Sequence, residues 1–415
     1  MTSDKQDTVL VPGPGANTNT QASSDNVNDR LVFVIEALTV GGAEHMLVAM
    51  ANRLCRAGWQ CHVICLTKAG DLAENLIDGV KLHVLDKTPG LDWSLPRRFR
   101  RLIKEIDPLA INSHLWTANT WTRLSLIGCG TRIIVTEHSR DSWKGRHYRL
   151  IDRILATTMY RLVAVSSDTA DFYKSEIGIA GDKIVVINNG IDTARFRSAD
   201  GSLVRQQLAG QSQRLIGTVG RMISAKNHLR LLSAFEQLKD EFPDTRLVYV
   251  GDGPERDKLE AQIMHLELND IVTLTGTRSD VPEIFKALDI FVLSSDREGH
   301  PLTALEAQAA GTPVVLTNAG GSADAIVRSM SAETTGSTSE SGDDQLGNVP
   351  KDASGNPLAA GVLVEKSAEA IAVALRELLS DDTLRQAMGE TGMQQAESQF
   401  DGDVMVAHYV ALFTE

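Results

Sequence analysis

Two cations, Arg221 and Lys226, lie five residues apart in RMISAKNH (221–228), between an apolar run that reads as a strand and a periodic run that reads as a helix. An arginine fork can bind two phosphate oxygens and a lysine adds a point charge, beside the free N–H groups that open a helix. This combination suits a diphosphate. A second run, DREGHPLTALEAQAAGTPVV (296–315), places Glu298 just ahead of a helix and Glu306 on it. Pro301 suits the first helical position, with the free N–H groups of Leu302 and Thr303 behind it as another anion site. A carboxylate at the mouth of such a helix suits a sugar hydroxyl, and one a turn or two inside suits a ribose diol. Gly41 and Gly42 let backbone approach a ligand where an earlier helix begins. His138 follows a strand and could touch a bound sugar or the reacting groups, with Glu137 beside it a weaker candidate. Each residue also has an ordinary reading, as surface charge, turn glycine or structural histidine. Placement at strand ends is what favours ligand binding, because open α/β sheets bind ligands beyond the carboxyl ends of their strands.

The elements that must position these groups alternate along the chain. Apolar runs at 31–38, 60–67, 81–86, 109–114, 132–138, 161–166 and 183–188 read as buried strands, mostly separated by helical stretches. In the first such helix Met46, Leu47, Met50 and Leu54 share a face. A polar, turn-rich break at 188–202 reads as a linker. A second series follows at 214–220, 246–251, 271–276, 289–295, 312–317 and 361–364, with helices such as 228–242 between. The expectation is an α/β protein of two doubly wound domains, spanning 30–200 and 201–397, each with a mostly parallel sheet covered on both faces. Residues 1–29 read as a disordered leader, and the Ser/Gly/Asp/Thr-rich stretch 329–358 as a flexible insertion. Residues 398–415 read as a terminal amphipathic helix packing back on the N-terminal domain.

At 415 residues the chain is too long for one ordinary core. A net charge of −13 argues against a nucleic-acid partner, which requires a basic face. Cys55, Cys61, Cys65 and Cys129 form no C-x-x-C pair and read as reduced thiols in apolar surroundings. They fit a cytoplasmic protein, as does a start that lacks a charged-then-apolar signal pattern. No apolar run approaches a membrane span. The basic run Arg97, Arg98, Arg100 and Arg101 could attract anionic lipid head groups at the inner face of the cytoplasmic membrane, although such runs more often form a solvated helix face.

VGGAEHMLVAMANRL, VAVS (163–166), NNGID (188–192), VGRMISAKN, VGDGPERDKL (250–259) and above all SSDREGHPLTALEAQAAGTPVV resemble the retaining GT-B glycosyltransferases of family 4, the glycosyl transferases of group 1. The likeness runs from about 31 to 415, apart from 329–358, and is looser in the first half. It implies two Rossmann-like domains facing a central cleft, the N-terminal one binding the acceptor. It also implies that Arg221 and Lys226 hold a donor diphosphate, Glu306 the ribose, and Glu298 the transferred sugar, beside the backbone of Gly299, His300, Pro301 and Leu302. Thr303 would share that helix end, Thr277 and Arg278 would meet the nucleobase, Gly42 would lie under the phosphates, and His138 would sit near the sugar. His300 departs from the aromatic or small residue frequent in the family, which bears on donor-sugar choice.

What the resemblance implies is transfer from a nucleotide sugar, a UDP-sugar favoured, to a glycan or lipid-linked glycan in cell-surface polysaccharide biosynthesis. No cofactor or metal is expected, since no D-x-D cluster stands in a metal-binding context and Asp200 and Asp240 are isolated. Similar enzymes are thought to attack on the same face, the leaving phosphate helping to deprotonate the acceptor, and the two domains are expected to close over the donor, hinging near 195–210 and at the C-terminal helices. Other enzymes of this fold remain open: a nucleotide-sugar epimerase or a phosphorylase. So does a non-catalytic subunit that binds a nucleotide sugar, although a dead copy need not keep Arg221, Lys226, Glu298 and Glu306. A dehydrogenase is disfavoured, because no G-x-G-x-x-G opens either domain.

Overall fold

The computed structural model describes residues 28–141, 143–210, 214–326 and 359–415. The insertion expected at 329–358, and the expected leader apart from residues 28 and 29, lie outside the described residues. The described residues form two compact units, one running as far as residue 190 and joined by 402–415, the other lying within 191–401.

In the first unit, β1 (Arg30–Ala37), β2 (Gln60–Lys68), β3 (Lys81–Val84), β4 (Ala110–His114), β5 (Ile133–Glu137), β6 (Arg161–Ala164) and β7 (Ile184–Val186) form one parallel sheet in the order β3-β2-β1-β4-β5-β6-β7. The central strands are apolar along their whole length because both faces are covered: Leu31 to Ile35 are all buried. The covering helices include α1 (Gly42–Arg56), α2 (Leu95–Ile106), α3 (Trp116–Ser125), α4 (Arg146–Leu155) and α5 (Ser167–Phe172). In α1 the apolar period holds, and Met46, Leu47, Met50 and Leu54 are buried.

The second unit repeats the plan. Its helices are α6 (Thr193–Arg197), α7 (Ser202–Ala209), α8 (His228–Glu236), α9 (Arg256–His265), α10 (Val281–Ala287), α11 (Leu302–Ala309), α12 (Ala368–Ser380) and α13 (Asp382–Gln399). Its strands β8 (Arg214–Val219), β9 (Thr245–Val250), β10 (Val272–Gly276), β11 (Ile290–Leu293), β12 (Val314–Thr317) and β13 (Gly361–Val364) pair in the parallel order β10-β9-β8-β11-β12-β13. Two apolar layers cover its two faces, one around Leu231, Phe235 and Leu375, the other around Phe285, Phe291 and Leu305. At the carboxyl end of β9, Gly251 has φ 133°, and a Cβ there would lie 2.0 Å from the Gly220 carbonyl oxygen. Only glycine lets the ends of β8 and β9 come this close.

The last helix, α14 (Gly402–Thr414), belongs to the first unit. Tyr409 and Phe413 are buried there, the Tyr409 hydroxyl lies 3.2 Å from Thr136 Oγ1, and Arg53 pairs with Asp403 at 3.1 Å.

Two expectations are corrected. The cysteines do not all lie in apolar surroundings: Cys61 and Cys65 are buried, Cys55 is half-buried and Cys129 is exposed. Cys129 stands between Gly128 and Gly130, both at positive φ, in an exposed turn after α3. The four arginines of α2 are not one solvated face. Arg98 pairs with Asp92 at 2.6 Å and donates to the Leu85 carbonyl, and Arg100 donates to the Ser125 carbonyl. Arg97, Arg100 and Arg101 remain exposed, Arg101 standing 4.0 Å from Glu105. Among the described residues no helix is long and apolar enough to cross a membrane.

Candidate functional site

In the second unit the loops after β8 and β11 are stitched together at the carboxyl edge of the sheet. The Asp296 amide donates to the Ala225 carbonyl (2.8 Å), and the Ser294 hydroxyl donates to the carbonyls of Lys226 and Asn227 (3.1 and 2.9 Å). Arg230 pairs with Asp296 at 2.6 Å and donates to the Ser294 carbonyl at 2.7 Å. Held this way, Lys226 Nζ lies 2.6 Å from Glu298 Oε1, the same oxygen that accepts from the Ser295 hydroxyl at 2.5 Å. The Glu298 backbone is pinned from the other side, its amide donating to Ala319 (2.7 Å) and its carbonyl accepting from Gly321 (3.1 Å). Arg221 opens the same β8 loop and is exposed. The structure therefore places Lys226 and Glu298 in direct contact and Arg221 on the same loop.

Gly299 is half-buried, and His300 is buried against Phe400, ring centroids 5.6 Å apart. Burial pushes the His300 imidazole down to about 4, Asp324 opposing, so at neutral pH it is an uncharged anchor of the loop. Pro301 is not the first helical residue. Its φ of −73° and ψ of 104° are extended, so it caps α11, which begins at Leu302. The amides of Leu302 and Thr303 still open the helix and have no partner within it. Glu306, one turn further, is half-buried, and burial pushes its carboxyl up to about 7 while Arg195 pulls it down. Thr277 is exposed after β10, and Arg278 is forked onto Asp280, with Nε 2.8 Å from Oδ1.

The other two candidates belong to the first unit. Gly42 is the exposed first residue of α1. That helix end carries its own acid, since Glu44 folds back toward Gly41 and accepts from the Thr39 hydroxyl at 3.3 Å. His138 follows β5, and its Nε2 lies 3.1 Å from Nδ1 of His114 at the end of the neighbouring strand β4. Burial pushes His138 down to about 4; burial, then the neighbouring ring, holds His114 well below the ordinary imidazole value. Both imidazoles are neutral at pH 7, one donating and one accepting.

Behind them lies a buried ionic network that spacing does not reveal. Arg123 and Lys144 each reach a different oxygen of Asp152 (2.7 and 2.8 Å), and Lys144 also reaches Asp141 and the Tyr173 hydroxyl at 2.8 Å each. Asn119 donates to Glu137 at 3.0 Å. Burial raises Glu137 well above the ordinary carboxylate range; Lys144 and Arg123 oppose the shift, while Asp141 and Asp152 add to it. Burial alone would lower Lys144, but Glu137, Asp152 and Asp141 outweigh it and leave the ammonium raised. Among the described residues no group of three His, Cys, Asp or Glu side chains could hold a metal ion.

Residues 202–345 match the family model described as Glycosyl transferases group 1, and residues 40–195 match Glycosyltransferase Family 4. The chain is 33% identical over 180 residues to the UDP-Gal:alpha-D-GlcNAc-diphosphoundecaprenol alpha-1,3-galactosyltransferase of Escherichia coli, covering 42% of this chain and 46% of that one. It is 25% identical over 289 residues to the GalNAc-alpha-(1->4)-GalNAc-alpha-(1->3)-diNAcBac-PP-undecaprenol alpha-1,4-N-acetyl-D-galactosaminyltransferase of Campylobacter jejuni, covering 67% and 76%. Among solved structures, Anabaena HepE in complex with UDP superposes with a TM-score of 0.76 at 20% identity, covering 93% of this chain and 99% of that one. At that identity the likeness speaks for the fold alone.

Proposed function

The chain belongs to the GT-B glycosyltransferases of family 4, and from that premise we propose that it transfers a sugar from a nucleoside diphosphate, UDP favoured, with retention and without a metal. The proposed acceptor is a glycan or lipid-linked glycan of cell-surface polysaccharide synthesis. The observation that carries the donor reading is the Lys226–Glu298 contact at 2.6 Å, on loops tied at the carboxyl edge of one sheet and beside the amino end of α11. The lipid-linked acceptor and UDP-sugar named for the E. coli relative, and the UDP bound to Anabaena HepE, support the choice of substrate classes.

As the glycosidic bond to the leaving diphosphate breaks, negative charge grows on that phosphate. Arg221, Lys226 and the amides of Leu302 and Thr303 offset it from fixed positions. Glu298 accepts from hydroxyls of the transferred sugar, Glu306 from the ribose diol, and Thr277 and Arg278 border the base. In the first unit Gly42 and His138 are the proposed ligand-facing groups. Attack comes from the same face, with the departing phosphate taking the acceptor proton. Contact with an anionic membrane is proposed through Arg97 and Arg101, and retention on phosphatidylglycerol vesicles by the Arg97→Ser/Arg101→Ser variant would exclude it.

The deciding experiment is nucleotide release across a panel of UDP-, GDP- and ADP-sugars with EDTA present. Release from one donor that survives EDTA and fails in Glu298→Ala is the expected result. Loss with EDTA overturns the metal-independent reading. Tight nucleotide binding without turnover for any donor and acceptor pair would mark a binding subunit.

Glu306 gives the reading a pH signature. A ribose diol needs the ionised carboxylate as acceptor, and in the free protein that form predominates only above about pH 7. Affinity for uridine, which carries no phosphate of its own to titrate, is expected to rise several-fold between pH 6 and 8. Calorimetry should find that slope in the natural protein and none in Glu306→Gln; a flat profile in both excludes the role.

A further inference from the structure

Three aromatic side chains of the first unit meet at its surface. Trp116 stands edge to face with Trp143 and with Tyr148, at centroid separations of 5.6 and 4.9 Å and an interplanar angle of 88° in each case. Trp143 and Tyr148 close the triangle at 5.3 Å. Contacts of this kind fix ring orientation, yet the cluster is not core: Trp143 is 56% exposed. The result is a stiff platform with an open indole.

Its position is that of a ligand site. Trp116 begins α3 just after His114 ends β4, and Trp143 lies in the loop after β5 that starts with His138. Both belong to the carboxyl edge of the sheet, where open α/β sheets bind ligands. Leu115, the single residue between His114 and Trp116, has φ 68° and ψ 154°. That region is essentially reserved for glycine, and strain of this kind gathers where a side chain must be aimed. The same strand end holds two buried polar atoms without a hydrogen-bond partner among the described residues, Nε2 of the wholly buried His114 and Nε1 of Trp116. Buried polar atoms are ordinarily paired.

We infer that this platform is the acceptor-sugar subsite. The C–H face of a pyranose stacks on the Trp143 indole, with its hydroxyls turned toward the strand end that carries Trp116, His114 and His138. A pyranose fits because it offers an apolar ring face with hydroxyls around its edge, matching an open aromatic face rimmed by hydrogen-bonding groups, among them the Asp141 carboxylate that accepts from the Trp143 N–H at 3.3 Å. The assignment deepens the transferase reading and rests on it for the word acceptor.

The test measures acceptor KM with water-soluble oligosaccharides ending in glucose, galactose, mannose, GlcNAc or GalNAc, using the donor found in the release assay. Trp143→Ala is expected to raise acceptor KM roughly ten- to hundredfold and donor KM by less than about twofold, and Trp143→Phe to recover part of the loss. Met264→Ala, an exposed apolar residue of the second unit, serves as control. An acceptor KM within about twofold of the natural protein's overturns the subsite. So does loss of binding to phosphatidylglycerol vesicles with an unchanged KM, which would make the platform a lipid face. If no transfer is found at all, tryptophan fluorescence decides independently: the same saccharides should shift the natural protein's emission but, at the same concentrations, not that of Trp143→Ala. No shift with any of them overturns the proposal whatever becomes of the transferase reading.

Discussion

Lys226→Ala is expected to lower turnover about a thousandfold while leaving the fold in place. One fixed donor to a developing oxyanion is commonly worth about 10²–10³ in rate. Lys226 also keeps Glu298 in place through their 2.6 Å contact, so the variant loses charge on the phosphate and the aim of the sugar-binding carboxylate together. The loss of about a thousandfold corresponds to about 4 kcal/mol of transition-state stabilisation. The ion pair is largely enclosed, Lys226 keeping 23% and Glu298 9% of its side-chain surface open, so a loss of stability is measured alongside the loss of rate. Nucleotide release and a melting curve on the same sample separate the two effects. Glu298→Ala should fall by a similar factor, and the double variant should cost little more than either single one, since the two residues act as a unit. Turnover of Lys226→Ala within threefold of normal would remove this pair from the chemistry.

The second large effect concerns stability. Lys144→Met should destabilise the first unit by about 3–5 kcal/mol, the usual cost of leaving buried carboxylates without their cation. Lys144 is completely enclosed and holds Asp141 and Asp152 at 2.8 Å each, with Glu137 close behind. All five tryptophans lie in this unit, at 59, 93, 116, 121 and 143, so their fluorescence follows its unfolding while circular dichroism follows both units. The fluorescence transition should move down alone. Asp152→Asn added to Lys144→Met should cost less than the sum of the single losses. Glu137 supplies the pH dependence. Its folded pKa is raised, so the native state binds more protons than the unfolded chain between the two values. Its stabilising contribution is complete below the unfolded pKa and is lost as pH rises through the raised folded value. Glu137→Gln should flatten that decline. A Lys144→Met protein that melts with the natural one would show that the network is not holding the unit together.

The strands were legible because a strand covered on both faces must be apolar throughout, as in LVFVIEAL and RIIVTEH. The helix at 42–56 was legible from its period. Fold class followed from the alternation of the two. Pairings across long separations were not legible. Lys226 and Glu298 are 72 residues apart, and only the closure of two loops joins them. His114 and His138 meet because β4 and β5 are neighbours, a fact of strand order that neither segment contains. Asp152 and Lys144 stand on or before α4 in no motif, yet both are buried, because Arg123 reaches Asp152 from α3 and Asp141 meets Lys144. Conversely PRRFRRLIK reads as four equivalent arginines, and packing of α2 makes them unequal by tying Arg98 and Arg100 to backbone carbonyls. The turn glycines around Cys129 were the signal that its thiol would lie outside the core.

The return of α14 to the first unit makes the second unit an insertion within the first, and this orders events on the ribosome. Residues 191–401 intervene between Gly190 and the helix whose Tyr409 and Phe413 finish the core around Phe33 and Leu47. At about 5–20 residues per second, that separation lasts roughly ten to forty seconds. The inserted unit is complete in sequence before the unit that began the chain can close. During that interval the face of the first sheet awaiting α14 is open to chaperones, and a nascent chain stalled before residue 402 would carry an unfinished first unit beside a finished second one.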